Sequence, residues 1–164
     1  MANKKYNVLF ICTGNSARSI MAEAIMNNIG KDRFKAYSAG SFPRGSVHPM
    51  TLAVLSGNNY DLSGLRSKSW EEFSGPDAPK MDFVFTVCDQ AAGEVCPVWP
   101  GQPITAHWGF IDPVAVQGDA DAQRRAFDNV LFQVTNRIRH LMSLPLETLD
   151  RMTLQQQLRE LGKS

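Results

Sequence analysis

The run Val8-Leu9-Phe10-Ile11 is apolar at every position and leads directly into Cys12-Thr13-Gly14-Asn15-Ser16-Ala17-Arg18-Ser19. Beyond it, Ile20, Met21, Ala24, Ile25 and Ile29 recur at helical spacing until Gly30 closes the pattern. A short strand without polar alternation is buried on both faces, which calls for helices on either side of a mostly parallel sheet. The first forty residues therefore read as strand, loop, helix, and they exclude all-β and all-α architectures. In open sheets of this kind, ligands bind beyond the carboxyl ends of the strands, where this loop falls.

The rest of the chain continues the alternation. Phe34 to Ala39 is a second candidate strand, ending in the turn-rich Gly40-Ser41-Phe42-Pro43-Arg44-Gly45. Pro49 suits the first turn of a helix to about Leu55, and Ser56-Gly57-Asn58-Asn59 stops it. Ser69 and Glu72 have capping-box spacing and start a short helix, and Asp82 to Val87 reads as a third strand. Ile104 to Trp108 is the fourth strand. A long stripe from Ala122 through Phe127, Val134 and Ile138 to Met142 is a helix packed on the sheet. After Pro145, Leu146 to Leu161 reads as one or two short helices, with Thr153 and Gln156 at capping-box spacing and Gly162 past the end. The expected fold is a three-layer α/β sandwich around a mostly parallel four-stranded sheet. It forms a single domain over 1–164 with a helical extension from about 146.

Length and composition bound the function. The 164 residues are 43% hydrophobic and 20% charged, which fits a globular chain with a real core and not a disordered one. Seventeen basic against sixteen acidic residues give no global field for nucleic acid or an anionic membrane. No stretch approaches the ~18 apolar residues of a membrane span, and Met1 to Lys5 reads as a strand lead-in, not a signal peptide. A cytoplasmic location is the expectation. The three cysteines, Cys12, Cys88 and Cys96, are an odd number and do not read as a disulfide framework.

The loop carries the chemistry. Gly14 and Asn15 tolerate the positive φ that turns successive N–H groups inward as an anion nest, and a helix beginning near Ser16 adds the positive end of its dipole. Thr13, Gly14, Asn15, Ser16, Ala17 and Arg18 thus form an oxyanion cradle. The same groups favour the Cys12 thiolate. Arg18 brings a planar fork that pairs two oxygens at once, and Ser19 is placed to donate to the Cys12 sulfur. Cys12, Cys88 and Asp112 all fall just after strands and can share one rim. No metal site is indicated, because Cys88 and Cys96 lack further ligands nearby. His107, at a strand end, reads as structural.

The run from Val8 to Ser19 with Met21-Ala22-Glu23 resembles the start of the low-molecular-weight protein tyrosine phosphatase superfamily. Within it the sequence is most similar to the cysteine-relay arsenate reductases. Tyr37-Ser38-Ala39-Gly40, Val87-Cys88, Cys96-Pro97 and His107-Trp108-Gly109-Phe110-Ile111-Asp112-Pro113 extend the resemblance, which stops short of the tail after Pro145. It implies a low-molecular-weight phosphatase-like fold and an acid, Asp112, that protonates the departing oxygen. The implied reaction has Cys12 attack arsenate, Cys88 attack the arsenic-bearing Cys12, and Cys96 complete a Cys88–Cys96 disulfide. An external thiol system then reduces that disulfide, thioredoxin ahead of glutaredoxin with a low-molecular-weight thiol. Phosphate and sulfate compete as oxyanions, and no cofactor is implied.

Two departures bear on this. Val114 and Ala115 follow the Asp-Pro pair where the phosphatases commonly carry a tyrosine, and Ala17 stands where many relatives have a second loop cysteine. Some relatives hold potassium behind the loop; Asn15, Glu23 and Ser38 match that set, but Lys68 takes the aspartate position and is expected to pair with Glu23 in place of the ion. Two other readings remain open from sequence: a phosphatase hydrolysing phosphomonoesters, and a non-catalytic phosphoryl carrier.

Overall fold

A computed structural model describes residues 5–87 and 103–162. Strands β1 (Tyr6–Ile11), β2 (Phe34–Ala39), β3 (Phe83–Thr86) and β4 (Ile104–His107) form one sheet in the order β2-β1-β3-β4. All three pairings are parallel, with Val8 between Ala36 and Phe83. The helices are α1 (Arg18–Ile29), α2 (Pro49–Gly57), α3 (Ala120–Ser143) and α4 (Arg151–Gly162), with 3-10 turns at Trp70–Phe73 and Pro113–Ala115. From β1 the chain adds β2 on one side and then crosses to β3 on the other. The topological switch point therefore lies between β1 and β3, and Cys12 follows β1 there.

The core confirms why β1 is apolar throughout. Val8, Leu9, Phe10 and Ile11 are all fully buried, and alternate residues of a strand point to opposite faces, so both faces of the sheet are covered. One face carries a continuous aromatic layer. Tyr6 packs on Phe34 and Phe83, Phe10 on Phe85, and Phe85 stacks on Trp108 with ring centroids 3.9 Å apart. Helix α1 lies against β1 and β2, and α3 packs on α1 and α2.

Several local expectations are corrected. Helix α1 starts at Arg18, not near Ser16, so Ser16 and Ala17 belong to the loop. The third strand is shorter than 82–87, because the Asp82 carboxylate accepts from the Asn7 N–H at 2.8 Å. At the Trp70 turn the capping box is half made. Ser69 Oγ accepts from the Glu71 N–H, whereas the Glu72 carboxylate is held by both Nη atoms of Arg66.

The tail after Pro145 forms a turn and then one helix, α4, whose first turn is capped by Asp150 and not by Thr153; Asp150 Oδ1 accepts from Thr153 N–H at 2.7 Å. Helix α4 packs on β4. Trp108 Nε1 donates to the Leu158 carbonyl at 2.9 Å, and Leu154 and Leu158 are buried. Gly162 lies inside the helix, not past its end, and a Cβ there would sit 2.1 Å from the His107 carbonyl oxygen. The tail thus completes the cover over the aromatic face. Truncating Leu158 to Ala is expected to cost about 3 kcal/mol, the usual range for a fully buried leucine. An unchanged urea midpoint would show that α4 does not dock on the sheet.

Candidate active site

The loop after β1 is fixed by its carbonyl groups. Thr13 O accepts from Phe42 N–H at 3.0 Å, and Gly14 O accepts from Arg44 N–H at 3.0 Å and Ser67 Oγ at 3.1 Å. Ser16 O accepts from His48 N–H at 3.0 Å and Thr51 Oγ1 at 2.9 Å. A peptide whose carbonyl is tied outward turns its N–H the other way. Gly14, Asn15, Ser16, Ala17 and Arg18 accordingly ring a cavity of about 30 Å³ with Cys12, Arg44, Asp112 and Val114. That is room for roughly two water-sized spheres.

Asn15 makes the turn possible, with φ +46 in the left-handed region that asparagine tolerates. Its side chain locks the conformation from both ends: Nδ2 donates to Ser19 Oγ at 2.8 Å, and Oδ1 accepts from Lys68 N–H at 2.9 Å. Ser19 is fully buried, and accepting from Asn15 leaves its own hydroxyl proton to donate. Gly14 does not share the positive φ that its type allows. It serves close approach instead, since a Cβ there would lie 3.0 Å from Arg44 Nε. Gly40 does the same from β2; its Cβ would fall 2.4 Å from Thr13 O and 2.9 Å from Cys12 O.

Helix α1 has no side-chain cap on its first amides, with Ala17 at the N-cap and no acidic residue in the first turn. The other three helices are capped, by His48, Asp119 and Asp150. The orphan N–H groups and the dipole of α1 are therefore directed at the cavity over Cys12, an arrangement that suits an anion. Arg18 Nη1 donates to the Phe110 carbonyl at 3.0 Å, and Nη2 lies 3.7 Å from Asp112 Oδ2. Arg18 Nε is buried with no hydrogen-bond partner among the described residues. Asp112 also accepts from Val114 N–H at 3.0 Å, so it both caps the Pro113–Ala115 turn and faces Arg18.

Behind the loop, Lys68 Nζ reaches Glu23 Oε1 at 3.5 Å, Ser38 Oγ at 3.4 Å and the Arg66 carbonyl at 3.0 Å. Ser38 Oγ donates to the same Glu23 oxygen. Desolvation raises the Glu23 pKa from its ordinary value, against the opposing attraction of Lys68 and the Ser38 hydrogen bond. Desolvation likewise pulls Lys68 down, against the attraction of Glu23. His107 is structural as expected, its Nδ1 hydrogen-bonded to Thr86 Oγ1 at 2.8 Å. Among the described residues no three His, Cys, Asp or Glu side chains converge as a metal site.

Cys12, the cradle, Arg18, Ser19 and Asp112 are thus brought together, whereas Cys88 and Cys96 lie outside the described residues. Val87, just before that stretch, donates to the carbonyl of Ile11, the neighbour of Cys12, at 2.8 Å. Arg44 and Val114 are cavity residues that motif reading passed over. The available signal was the position of Arg44 just past β2, whose carboxyl end shares the rim with β1.

A strand-end cysteine under an uncapped helix and a buried arginine defines a phosphatase-type oxyanion site. The sequence profile described as low molecular weight phosphotyrosine protein phosphatase matches residues 7–157, and the chain belongs to that family. Among curated relatives, the arsenate reductase of Halalkalibacterium halodurans is 34% identical over 137 residues, covering 84% of this chain and 94% of that protein. The arsenate reductase of Bacillus subtilis is 33% identical over 132 residues, covering 80% and 91%. A solved arsenate reductase in a phosphate-binding state superposes with TM-score 0.65 at 29% identity, covering 84% of this chain and 97% of that one. The thioredoxin-dependent arsenate reductase of Corynebacterium glutamicum gives TM-score 0.61 at 25% identity over 87% of this chain; the match spans 62% of that longer protein. No helix among the described residues is long and apolar enough to cross a membrane.

The Glu23–Lys68 pair sets a pH test. A raised folded pKa at Glu23 means that its contribution to stability is fullest below the ordinary carboxylate value of 4.5 and is lost as pH rises through the raised value. Glu23→Gln is expected to flatten that decline in urea midpoints measured from pH 4.5 to 8. Lys68→Met should cost about 3 kcal/mol at neutral pH by stranding a buried carboxylate, and the double variant less than the sum. Additive losses would refute the coupling.

Proposed function

We propose that this protein reduces arsenate to arsenite in the cytoplasm. The observation that carries the reading is the orphan Arg18 Nε beside the uncapped start of α1, both bordering a cavity with Cys12 in its wall. Such groups bind the oxygens of a tetrahedral anion and hold Cys12 as a thiolate. The choice of arsenate over phosphomonoesters is supported by the relatives named above. It is supported too by a cavity of about 30 Å³ walled by Val114 and Arg44, which offers no aromatic slot.

In this reading the Cys12 thiolate attacks arsenic, and the loop amides of Thr13 to Arg18 with the Arg18 fork carry the charge that builds on the oxygens. Asp112 gives its proton to the departing oxygen, which leaves as water. Ser19 donates to the Cys12 sulfur and steadies the thiolate each time it is released. Cys88 then attacks the Cys12 sulfur; the S–As bonding pair leaves with arsenic, which is thereby reduced to arsenite, and a Cys12–Cys88 disulfide forms. Cys96 attacks Cys88, frees Cys12 as thiolate and moves the disulfide to Cys88–Cys96. An external dithiol, thioredoxin ahead of glutaredoxin with a low-molecular-weight thiol, takes that bridge back to two thiols.

The tests separate reductase from phosphatase. Cys88→Ser is expected to abolish multiple turnover of arsenate while a single equivalent still reacts at Cys12, read by mass spectrometry of the intact chain. A variant that kept turning over would remove Cys88 from the mechanism. Asp112→Asn is expected to lower kcat about 100-fold or more, the usual contribution of a positioned acid, with little change in phosphate affinity. A kcat within a few-fold of the parent would take the proton donor away from Asp112.

A further inference from the structure

Arg44 is bound into the cavity wall more firmly than a surface arginine needs to be. Its N–H donates to Gly14 O at 3.0 Å, and the next residue, Gly45, turns with φ +88 and donates to Ser67 Oγ at 3.1 Å. Ser67 Oγ in turn donates to Gly14 O at 3.1 Å, so the turn and the loop are closed into one hydrogen-bonded circuit. The side chain then lies along the loop backbone. The absent Cβ of Gly14 would meet Arg44 Nε at 3.0 Å, Cγ at 3.3 Å and Cδ at 3.4 Å. The guanidinium pairs with no carboxylate among the described residues, unlike Arg33, Arg66 and Arg124.

The charge balance gives this placement a purpose. A thiolate attacking a dianionic oxyanion brings like charges into contact. Arg18 alone answers them, and its charge is shared with Asp112 at 3.7 Å while Nη1 is held by Phe110 O. Two of its nitrogens are thus directed at the acid loop. From the page, Arg44 is the second cation lining the same small cavity.

We infer that Arg44 is an anion-binding residue of this site: its guanidinium holds a rim-facing oxygen of the bound tetrahedral oxyanion and sets the affinity for a free, doubly charged anion. This rests on the oxyanion role of the loop but not on the identity of the reaction, since inorganic phosphate serves as the probe. The decisive measurement is calorimetric titration of the reduced protein with inorganic phosphate, in parent, Arg44→Ala, Arg44→Lys and Arg139→Ala. Arg139 is exposed on α3 outside the cavity and controls for long-range charge.

Loss of one charge-assisted contact predicts about tenfold weaker phosphate binding in Arg44→Ala and a smaller loss in Arg44→Lys. Arg139→Ala should stay within about twofold of the parent. In arsenate assays KM should rise in step with the phosphate constant while kcat holds. Arg44→Ala binding within about twofold of parent, or weakening equally in Arg139→Ala, would overturn the inference. A chain that fails to reduce arsenate yet shows the Arg44 dependence for phosphate would sink the reductase reading and leave this one standing.

Discussion

The site depends on a simple property of the peptide group: its carbonyl and its N–H point in opposite directions. By tying the carbonyls of Thr13, Gly14 and Ser16 outward, the protein commits the amides of the loop to the cavity. The ties come from three separate segments: the turn after β2, the start of α2, and the Ser67–Lys68 stretch. Each is placed by the parallel sheet. Gly40 shows how close the fit is, because its backbone lies where any side chain would strike Thr13 O and Cys12 O. Such a loop is organised for an anion before the anion arrives, so little reorganisation is left to oppose binding.

Much of this was legible in the sequence because it is local. The unbroken apolar run of β1 announced a strand covered on both faces, and the helical stripe of α1 followed from spacing. Cys12 and Arg18 were tied together by a loop short enough to leave few arrangements. The start of α1 was misplaced for a physical reason. Capping rules put a helix at Ser16, but a side-chain cap would consume the amides this loop keeps for its ligand, and the helix begins without one at Arg18. A broken local rule at a functional site is what a chain under two demands should show.

What the sequence did not disclose is what the sheet brings together. Arg44 looks like one residue of a turn until parallel pairing sets the end of β2 beside the end of β1. The tail after Pro145 resembled no motif, and only the Trp108 ring explains its position, offering an indole N–H to Leu158 O and a surface for Leu154 and Leu158. The capping signals at Ser69 and Thr153 were outcompeted by Arg66 and Asp150, since each alternative pair satisfies the same donors or acceptors with better geometry.

The two basic residues on either side of the loop do different work. Lys68 is buried against Glu23, and desolvation pushes both partners toward their neutral forms, so the pair braces the loop without adding net charge to the site. Through its N–H, Lys68 also fixes Asn15, the residue whose positive φ turns the chain. The field felt at Cys12 is therefore left to the α1 terminus, Arg18 and Arg44. That division lets the back of the loop be rigid and electrically quiet while the front stays cationic and open to solvent. A tetrahedral anion of either element would be held equally well there; what happens after Cys12 has attacked it is decided by thiols beyond the loop.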